Sequence, residues 1–166
     1  RKPYLIICEG YMDVISMHQA GFTNAVASLG TALTSGHASL MSRYTKEVLL
    51  TYDSDEAGQK AALRGIPILR AAGIRPRVVK LAPYKDPDEF IKAEGREAFE
   101  KRLDEAMNYF LFQVKVLEKK YNLSDPEEKP QFFREIAGML LEFRKNWRGT
   151  TTWKPFPGSI GSNMKI

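Results

Sequence analysis

The sequence predicts an α/β fold with a parallel sheet, followed by a small helical region. In the first half, short β-branched and aliphatic runs alternate with stretches of helical spacing, and the connections between them are short. Beyond residue 95 the spacing stays amphipathic and no further strand candidate occurs. We therefore predict an α/β domain at 1–95, a helical subdomain at 96–145 and an atypical tail at 146–166.

Four strand candidates alternate with helix candidates in the first domain. The strands are predicted at 4–8, 24–29, 47–52 and 75–81, with helices at 11–20, 34–44 and from 56 to about 73. Strand then helix, repeated with short connections, is the pattern of a parallel sheet with right-handed crossovers. The helical subdomain contains a polar, proline-bearing connection at 122–130 and a further helix at 131–143. We expect the apolar residues of this helix to pack on its neighbours as a small bundle, and they are Phe132, Phe133, Ile136, Met139, Leu140 and Leu141.

Composition indicates a globular protein. Of the 166 residues, 43% are hydrophobic and 27% are charged, and no apolar run approaches the roughly 20 residues that cross a bilayer. The single cysteine, Cys8, excludes an internal disulfide, fits a reducing cytoplasm and is predicted to be a small core residue. The formal charge of +5 is compatible with a phosphate-rich partner, but it is also common among ordinary soluble proteins.

The two ends of the sequence are unusual. Arg1 leads directly into the first strand without an initiator Met or a signal-peptide pattern, which indicates a piece of a longer chain. The stretch 146–166 has neither helical nor strand periodicity, whereas the neighbouring reading frame allows an amphipathic helix. We hypothesise a frameshift near residues 144–146. The alternative is a genuine flexible tail, and neither interpretation assigns it a function.

Two aspartates lie between the third strand and the following helix. Asp53 and Asp55 occupy the turn in the stretch 51–60, TYDSDEAGQK. In a parallel sheet, ligands bind beyond the carboxyl ends of the strands, and two carboxylates there suit Mg²⁺ or Mn²⁺. The alternative is that one of these aspartates caps the helix, since Asp is a preferred N-cap residue.

Two other strand ends also carry acidic residues, namely Glu9 and the pair Asp86 and Asp88. Three strands that deliver carboxylates to one crevice concentrate negative charge, which is tolerable only when cations are bound. Capping accounts for one such turn and does not explain three converging ones. The sequence therefore predicts a metal site for phosphoryl or nucleotidyl transfer.

Four motifs occur in the order and spacing of bacterial DNA primases of the DnaG type. They are EGYMD at 9–13, ASLGT at 27–31, YDSDEAG at 52–58 and KDPDE at 85–89. From about Tyr4 to Arg144 the chain resembles the Toprim part of the primase RNA polymerase domain, and the first two motifs are more specific than the DxD pattern. The resemblance implies a Rossmann-like Toprim fold. It also implies a nucleotidyltransferase, a DNA-directed RNA polymerase that makes short RNA primers for DNA replication in the primosome.

The resemblance also assigns roles to individual residues. Glu9, Asp53 and Asp55 are implied to be catalytic, with Mg²⁺ or Mn²⁺ as cofactor. The implied metal ligands are Glu9, Asp13, Asp53, Asp55, Asp86 and Asp88. Asp13 has a structural alternative, because helix N-termini attract Asp. Ser54 stands where the family most often has Gly, which predicts a slightly stiffer turn.

The implied partners are a single-stranded DNA template, nucleoside triphosphates and the RNA primer, with no membrane. The family's zinc-binding domain, basic polymerase subdomain and helicase-binding domain are absent from this sequence, so contact with the replicative helicase needs other domains. One Cys and two His offer no zinc site. We expect little or no activity from this fragment alone. Phosphate contact is predicted for Arg75, Arg77, Lys80 and Lys85, with solvated strand ends as the alternative.

Two rival functions stay open on the sequence alone. A Toprim nuclease or phage primase-helicase shares the fold and would nick DNA without incorporating nucleotides. A non-catalytic nucleic-acid-binding fragment is the rival of another class, because the chain is truncated. The remaining residues add little: His18 and His37 have no triad partners, and Met12, Met17 and Met41 are predicted core residues.

Overall fold

A computed structural model describes residues 3–28 and 32–147, with side chains through residue 142. Two compact units are present, the first ending at Val116 and the second beginning at Leu117. The strands are β1 (Leu5–Cys8), β2 (Ala25–Ala27), β3 (Glu47–Leu50), β4 (Arg75–Val78) and β5 (Met107–Asn108). The helices are α1 (Tyr11–Gln19), α2 (Ser35–Met41), α3 (Glu56–Ala71), α4 (Pro87–Asp104), α5 (Tyr109–Glu118) and α6 (Glu128–Trp147).

The five strands form one sheet in the order β2-β1-β3-β4-β5. The first four strands are parallel, with Ile6 opposite Ala25 and Leu49, as the alternation of strands and helices predicts. The fold class is therefore confirmed as α/β.

The fifth strand was not predicted. β5 lies within the stretch expected to be all-helical and pairs antiparallel with β4. The Arg77 guanidinium donates to the carbonyl oxygens of Ala106 (2.6 Å) and Asp104 (2.9 Å), which holds the incoming chain against the open edge of β4. This long-range pairing has no local sequence pattern.

The core of the first unit extends past the predicted boundary at residue 95. Phe99 is fully buried and packs edge-to-face on Phe22 and Phe90, with ring centroids 5.2 and 5.5 Å away. α4 carries Phe90 and Phe99 to the core on either side of a kink at Gly95 (φ 79°), a backbone conformation that glycine adopts without strain. Cys8 is also fully buried, as expected.

Helix α1 is rotated relative to its predicted apolar face. Met17 and Met41 are buried as expected, whereas Met12, also predicted as core, is 52% exposed. Asp13 and Ser16 share the buried face with Met17, because both polar side chains have partners there. The prediction for Met12 is therefore wrong.

In the second unit, α6 buries one narrow stripe. Phe132 is buried and its ring lies 6.0 Å from that of Tyr121, and Ile136 and Met139 are half-buried on the same side. Phe133, Leu140 and Leu141, which we expected to pack in a bundle, are exposed. No helix in the described ranges is long and apolar enough to cross a membrane. The tail from 148 onward, and with it most of the suspected frameshift product, lies outside the described residues.

Candidate functional site

The sheet has a topological switch between β1 and β3. The chain passes from β1 to β2 on one side and from β3 to β4 on the other, so a crevice opens at the carboxyl ends of β1 and β3. A cavity of about 560 Å³ lies there, and we call it the acidic crevice. It is lined by Glu9, Gly10, Tyr11, Met12, Asp13, Asp53, Asp86 and Asp88.

The first corner of the crevice follows β1. Glu9 Oε1 accepts a hydrogen bond from the Asp53 backbone N–H at 3.1 Å, and Asp13 Oδ2 accepts one from the Gly10 N–H at 3.1 Å. Burial raises the pKa of Glu9, and the charges of Asp53, Asp55 and Asp13 raise it further. Burial also raises the pKa of Asp13, with added repulsion from Asp86 and Asp53.

The second corner is the turn between β3 and α3. Burial raises the pKa of Asp53, while Lys85, whose Nζ lies 4.0 Å from Asp53 Oδ2, opposes this rise. Asp55 is the N-cap of α3, and its Oδ1 accepts from the Gly58 N–H at 2.8 Å. Gly58 is packed tightly on this turn, since a Cβ there would lie 2.1 Å from the Asp53 carbonyl oxygen.

The third corner is the loop between β4 and α4. Asp86 is the N-cap of α4 and accepts from the Glu89 N–H at 2.8 Å. Asp88 accepts from Lys92 Nζ at 2.7 Å and from Ser16 Oγ on α1. These two partners, Lys92 first, lower the pKa of Asp88.

Helix capping is more frequent at this site than we expected. Asp13, Asp55 and Asp86 each accept a hydrogen bond from the backbone at a helix start, so capping occurs at all three corners. Each cap uses one oxygen of its carboxylate and does not by itself occupy the other. Capping and metal binding are therefore compatible at these residues, and capping alone does not explain the mutual repulsion of Glu9, Asp13 and Asp53.

The donor set fits a hard divalent cation, because the charged groups that line the crevice are all carboxylates. In this structure the carboxylates do not surround a common position for a cation. In the described ranges, no three His, Cys, Asp or Glu side chains are grouped closely enough to hold an ion. Closer approach of these acids would increase their repulsion, which a bound cation would offset.

The four basic residues predicted to contact phosphate are spread across the sheet. Lys85 lies at the crevice beside Asp53. Arg75 and Arg77 instead pair with Glu47, the first residue of β3, at the opposite end of the strands. Lys80 is exposed. Phosphate contact stays a prediction for all four, and the position of Lys85 favours it most.

Sequence reasoning missed three side chains that organise the corners, namely Ser16, Ser54 and Lys92. Ser16 lies three residues after Asp13, on the same helix face, and this spacing is the signal that could have identified it. Ser54 was noted only as a turn residue, yet its Oγ donates to the Tyr84 carbonyl oxygen in the next loop. Lys92 lies one helical turn after Asp88.

Comparison with known proteins decides the family. The Toprim-like family model matches residues 6–91, which is more than half of the chain and includes all three corners. The chain belongs to the Toprim-like family. Most of the Toprim-like match coincides with the parallel part of the sheet.

The relatives of this Toprim-like chain include curated DNA primases. The DNA primase of Clostridium acetobutylicum is 44% identical over 138 residues, covering 83% of this chain and 23% of the relative. The DNA primase of Aquifex aeolicus is 39% identical over 139 residues, covering 84% and 27%. The chain thus spans about a quarter of the length of the curated relatives it matches.

Solved primase structures share the fold. The Aquifex aeolicus primase, with its zinc-binding and RNA polymerase domains, has a TM-score of 0.68 at 37% identity over 88% of this chain and 35% of that one. The E. coli primase catalytic core has a TM-score of 0.68 at 37% identity, covering 79% and 43%. A DnaG primase catalytic domain bound to single-stranded DNA has a TM-score of 0.69 at 36% identity, covering 80% and 44%.

Proposed function

We propose that this chain is the Toprim part of a DNA primase and takes part in template-directed synthesis of RNA primers on single-stranded DNA. The observation that carries the proposal is the acidic crevice at the switch between β1 and β3, in a chain 44% identical to a DNA primase. The similarity to primases favours primer synthesis over nicking of DNA or a purely binding role.

The residues proposed to hold Mg²⁺ or Mn²⁺ are carboxylates of the three corners. Glu9, Asp53 and Asp55 are proposed as the catalytic acids, and Asp13, Asp86 and Asp88 as further ligands. When bound, a divalent cation would lower the pKa of an attacking hydroxyl and neutralise charge on the phosphoryl group being transferred. Burial and mutual repulsion raise the pKa values of Glu9, Asp13 and Asp53, and this repulsion favours cation binding over an empty crevice.

The chain's own residues would orient the substrates. Lys85 Nζ, at the rim and 4.0 Å from Asp53 Oδ2, is suited to contact a phosphate oxygen of an incoming nucleoside triphosphate. Glu9 Oε1 accepts the hydrogen bond of the Asp53 N–H, which ties the first corner to the second. We further propose that DNA template, RNA primer and replicative helicase are engaged largely through parts of the protein outside this chain.

Primer synthesis by the full-length protein tests this proposal. With single-stranded template, nucleoside triphosphates and Mn²⁺, Asp53→Asn should abolish primer formation. Glu56→Gln is the matched control, because Glu56 is a nearby acid on α3 that does not line the crevice. Full activity of Asp53→Asn, or nicking of DNA by the wild type without incorporation, would contradict the proposal.

A further inference from the structure

The three acidic corners are joined to one another by hydrogen bonds that do not involve a metal. The Asp53 N–H donates to Glu9 Oε1 at 3.1 Å, which links the first and second corners. Ser54 links the second corner to the third, because its Oγ donates to the Tyr84 carbonyl oxygen at 2.8 Å and its N–H to the Lys85 carbonyl oxygen at 2.8 Å. Ser16 Oγ donates to Asp88 Oδ1 and joins the third corner to α1, which begins at the first. The links close a ring around the crevice.

Both serine links attach to well-anchored parts of the first unit. The Tyr84 ring packs edge-to-face on buried Phe90 with centroids 5.0 Å apart, so the carbonyl that receives Ser54 belongs to a residue packed against the core. Ser16 is itself buried beside Met17. The hydrogen bonds of the ring therefore tie the loops that carry the acids to side chains packed in the core.

We propose that Ser16 and Ser54 are positioning residues, whose hydroxyl groups close this ring and set the separation of the acidic corners for a divalent cation. Neither hydroxyl is a ligand in this proposal, which rests on the proposed function. Links that hold the three corners next to one another limit the reorganisation that is needed to bring the repelling carboxylates around a cation, and so raise the affinity.

Mn²⁺ affinity of the full-length protein, measured from free Mn²⁺ by electron paramagnetic resonance, tests this proposal. Ser16→Ala and Ser54→Ala should each weaken Mn²⁺ binding about twofold to tenfold, the effect of losing one hydrogen bond. Ser16→Ala opens the ring, and Ser54→Ala removes one of the two bonds between the second and third corners. Because both changes loosen the same ring, the double variant should be weaker than each single one by less than the product of the two effects. Ser54→Thr, which keeps the hydroxyl, should restore most of the affinity.

Ser42→Ala is the matched control. Ser42 Oγ donates to the Ser39 carbonyl oxygen at 2.8 Å, the same kind of bond at the same length, on α2 and outside the crevice. The Ser42→Ala variant should keep the wild-type Mn²⁺ affinity, even if this change lowers the melting temperature as much as Ser54→Ala does. The positioning role of the two serines is refuted if Ser16→Ala and Ser54→Ala bind Mn²⁺ as tightly as Ser42→Ala does, while Asp53→Asn loses binding. Unchanged binding by Asp53→Asn would instead refute the metal site itself.

Discussion

The carboxyl groups of Glu9, Asp13 and Asp53 differ from ordinary surface acids because burial and mutual repulsion raise their pKa values. The folded state therefore binds more protons than the unfolded chain at pH values just above the ordinary carboxyl pKa of about 4. The contribution of these three acids to stability then falls as pH rises through this window, because their carboxyl groups lose protons first in the unfolded state. At neutral pH these acids destabilise the metal-free chain.

Asp13→Asn tests whether the buried charge of Asp13 lowers the stability of the folded chain at neutral pH. The side-chain oxygen of Asn still accepts the Gly10 N–H, but the buried charge is gone. In a chelator, the melting temperature at pH 7 should rise by about 2–4 °C, the shift that roughly 1 kcal/mol gives at this chain length. The loss of stability between about pH 4 and pH 7 should also become smaller.

Thermal melting against pH measures both effects. Asp104→Asn is the control, since Asp104 is exposed on α4 and does not line the crevice. A melting temperature that falls in Asp13→Asn would show that Asp13 acts at neutral pH as a stabilising cap and does not strain the folded state.

The ammonium group of Lys85 partly neutralises the charge of Asp53 before any cation binds. Lys85→Met should raise Mn²⁺ affinity about twofold to fivefold, as expected for loss of an exposed ion pair that competes with the metal. The same variant should bind nucleoside triphosphate more weakly. Calorimetric titration with each ligand measures the two effects. Lys80→Met is the matched control, and a Lys85→Met variant that loses Mn²⁺ affinity would contradict the competition.

At the scale of elements, the start of α3 fixes the second corner. Gly58→Ala would place a Cβ 2.1 Å from the Asp53 carbonyl oxygen, so the turn or the helix start must move. We expect a loss of about 1–3 kcal/mol in unfolding free energy, as for overpacking, together with weaker Mn²⁺ binding. Urea unfolding and Mn²⁺ titration measure the two effects.

Gly36→Ala is the control for this variant. Gly36 lies in α2 of the same unit, and its added Cβ would meet only Thr34 Oγ1, at 3.6 Å, an ordinary contact. It should be neutral or slightly stabilising, because Ala favours a helix over Gly. Equal effects of the two substitutions would show that the close approach at Gly58 has no special role.

The elements that the sequence predicts well are those with strong local signals. The four parallel strands and the helices that follow them come from hydrophobic periodicity. The phase of α1 and the existence of β5 could not be predicted in this way. Asp13 turns inward to accept from Gly10 at the start of its own helix, and Ser16 turns inward to donate to Asp88 in α4. β5 forms because Arg77 holds residues 104–106 at the edge of β4.

At the scale of the whole molecule, the acids of the crevice could be predicted from sequence but their arrangement could not. A parallel sheet puts the ends of β1, β3 and β4 at one edge, which is why Glu9, Asp53 and Asp86 were predicted together. The links through Ser16 and Ser54 depend on loop geometry, and so does the pairing of Lys85 with Asp53. Such contacts between distant segments leave no periodic pattern.

The central claim is that three corners of the fold hold one divalent cation site. Mn²⁺ binding by three variants, one from each corner, tests it most directly: Glu9→Gln, Asp53→Asn and Asp86→Asn, with Glu56→Gln as control. Each corner variant should bind Mn²⁺ at least about tenfold more weakly, since loss of a charged ligand should weaken binding by no less than the upper limit for loss of one hydrogen bond. Wild-type affinity in the variants of any two corners would contradict a shared site.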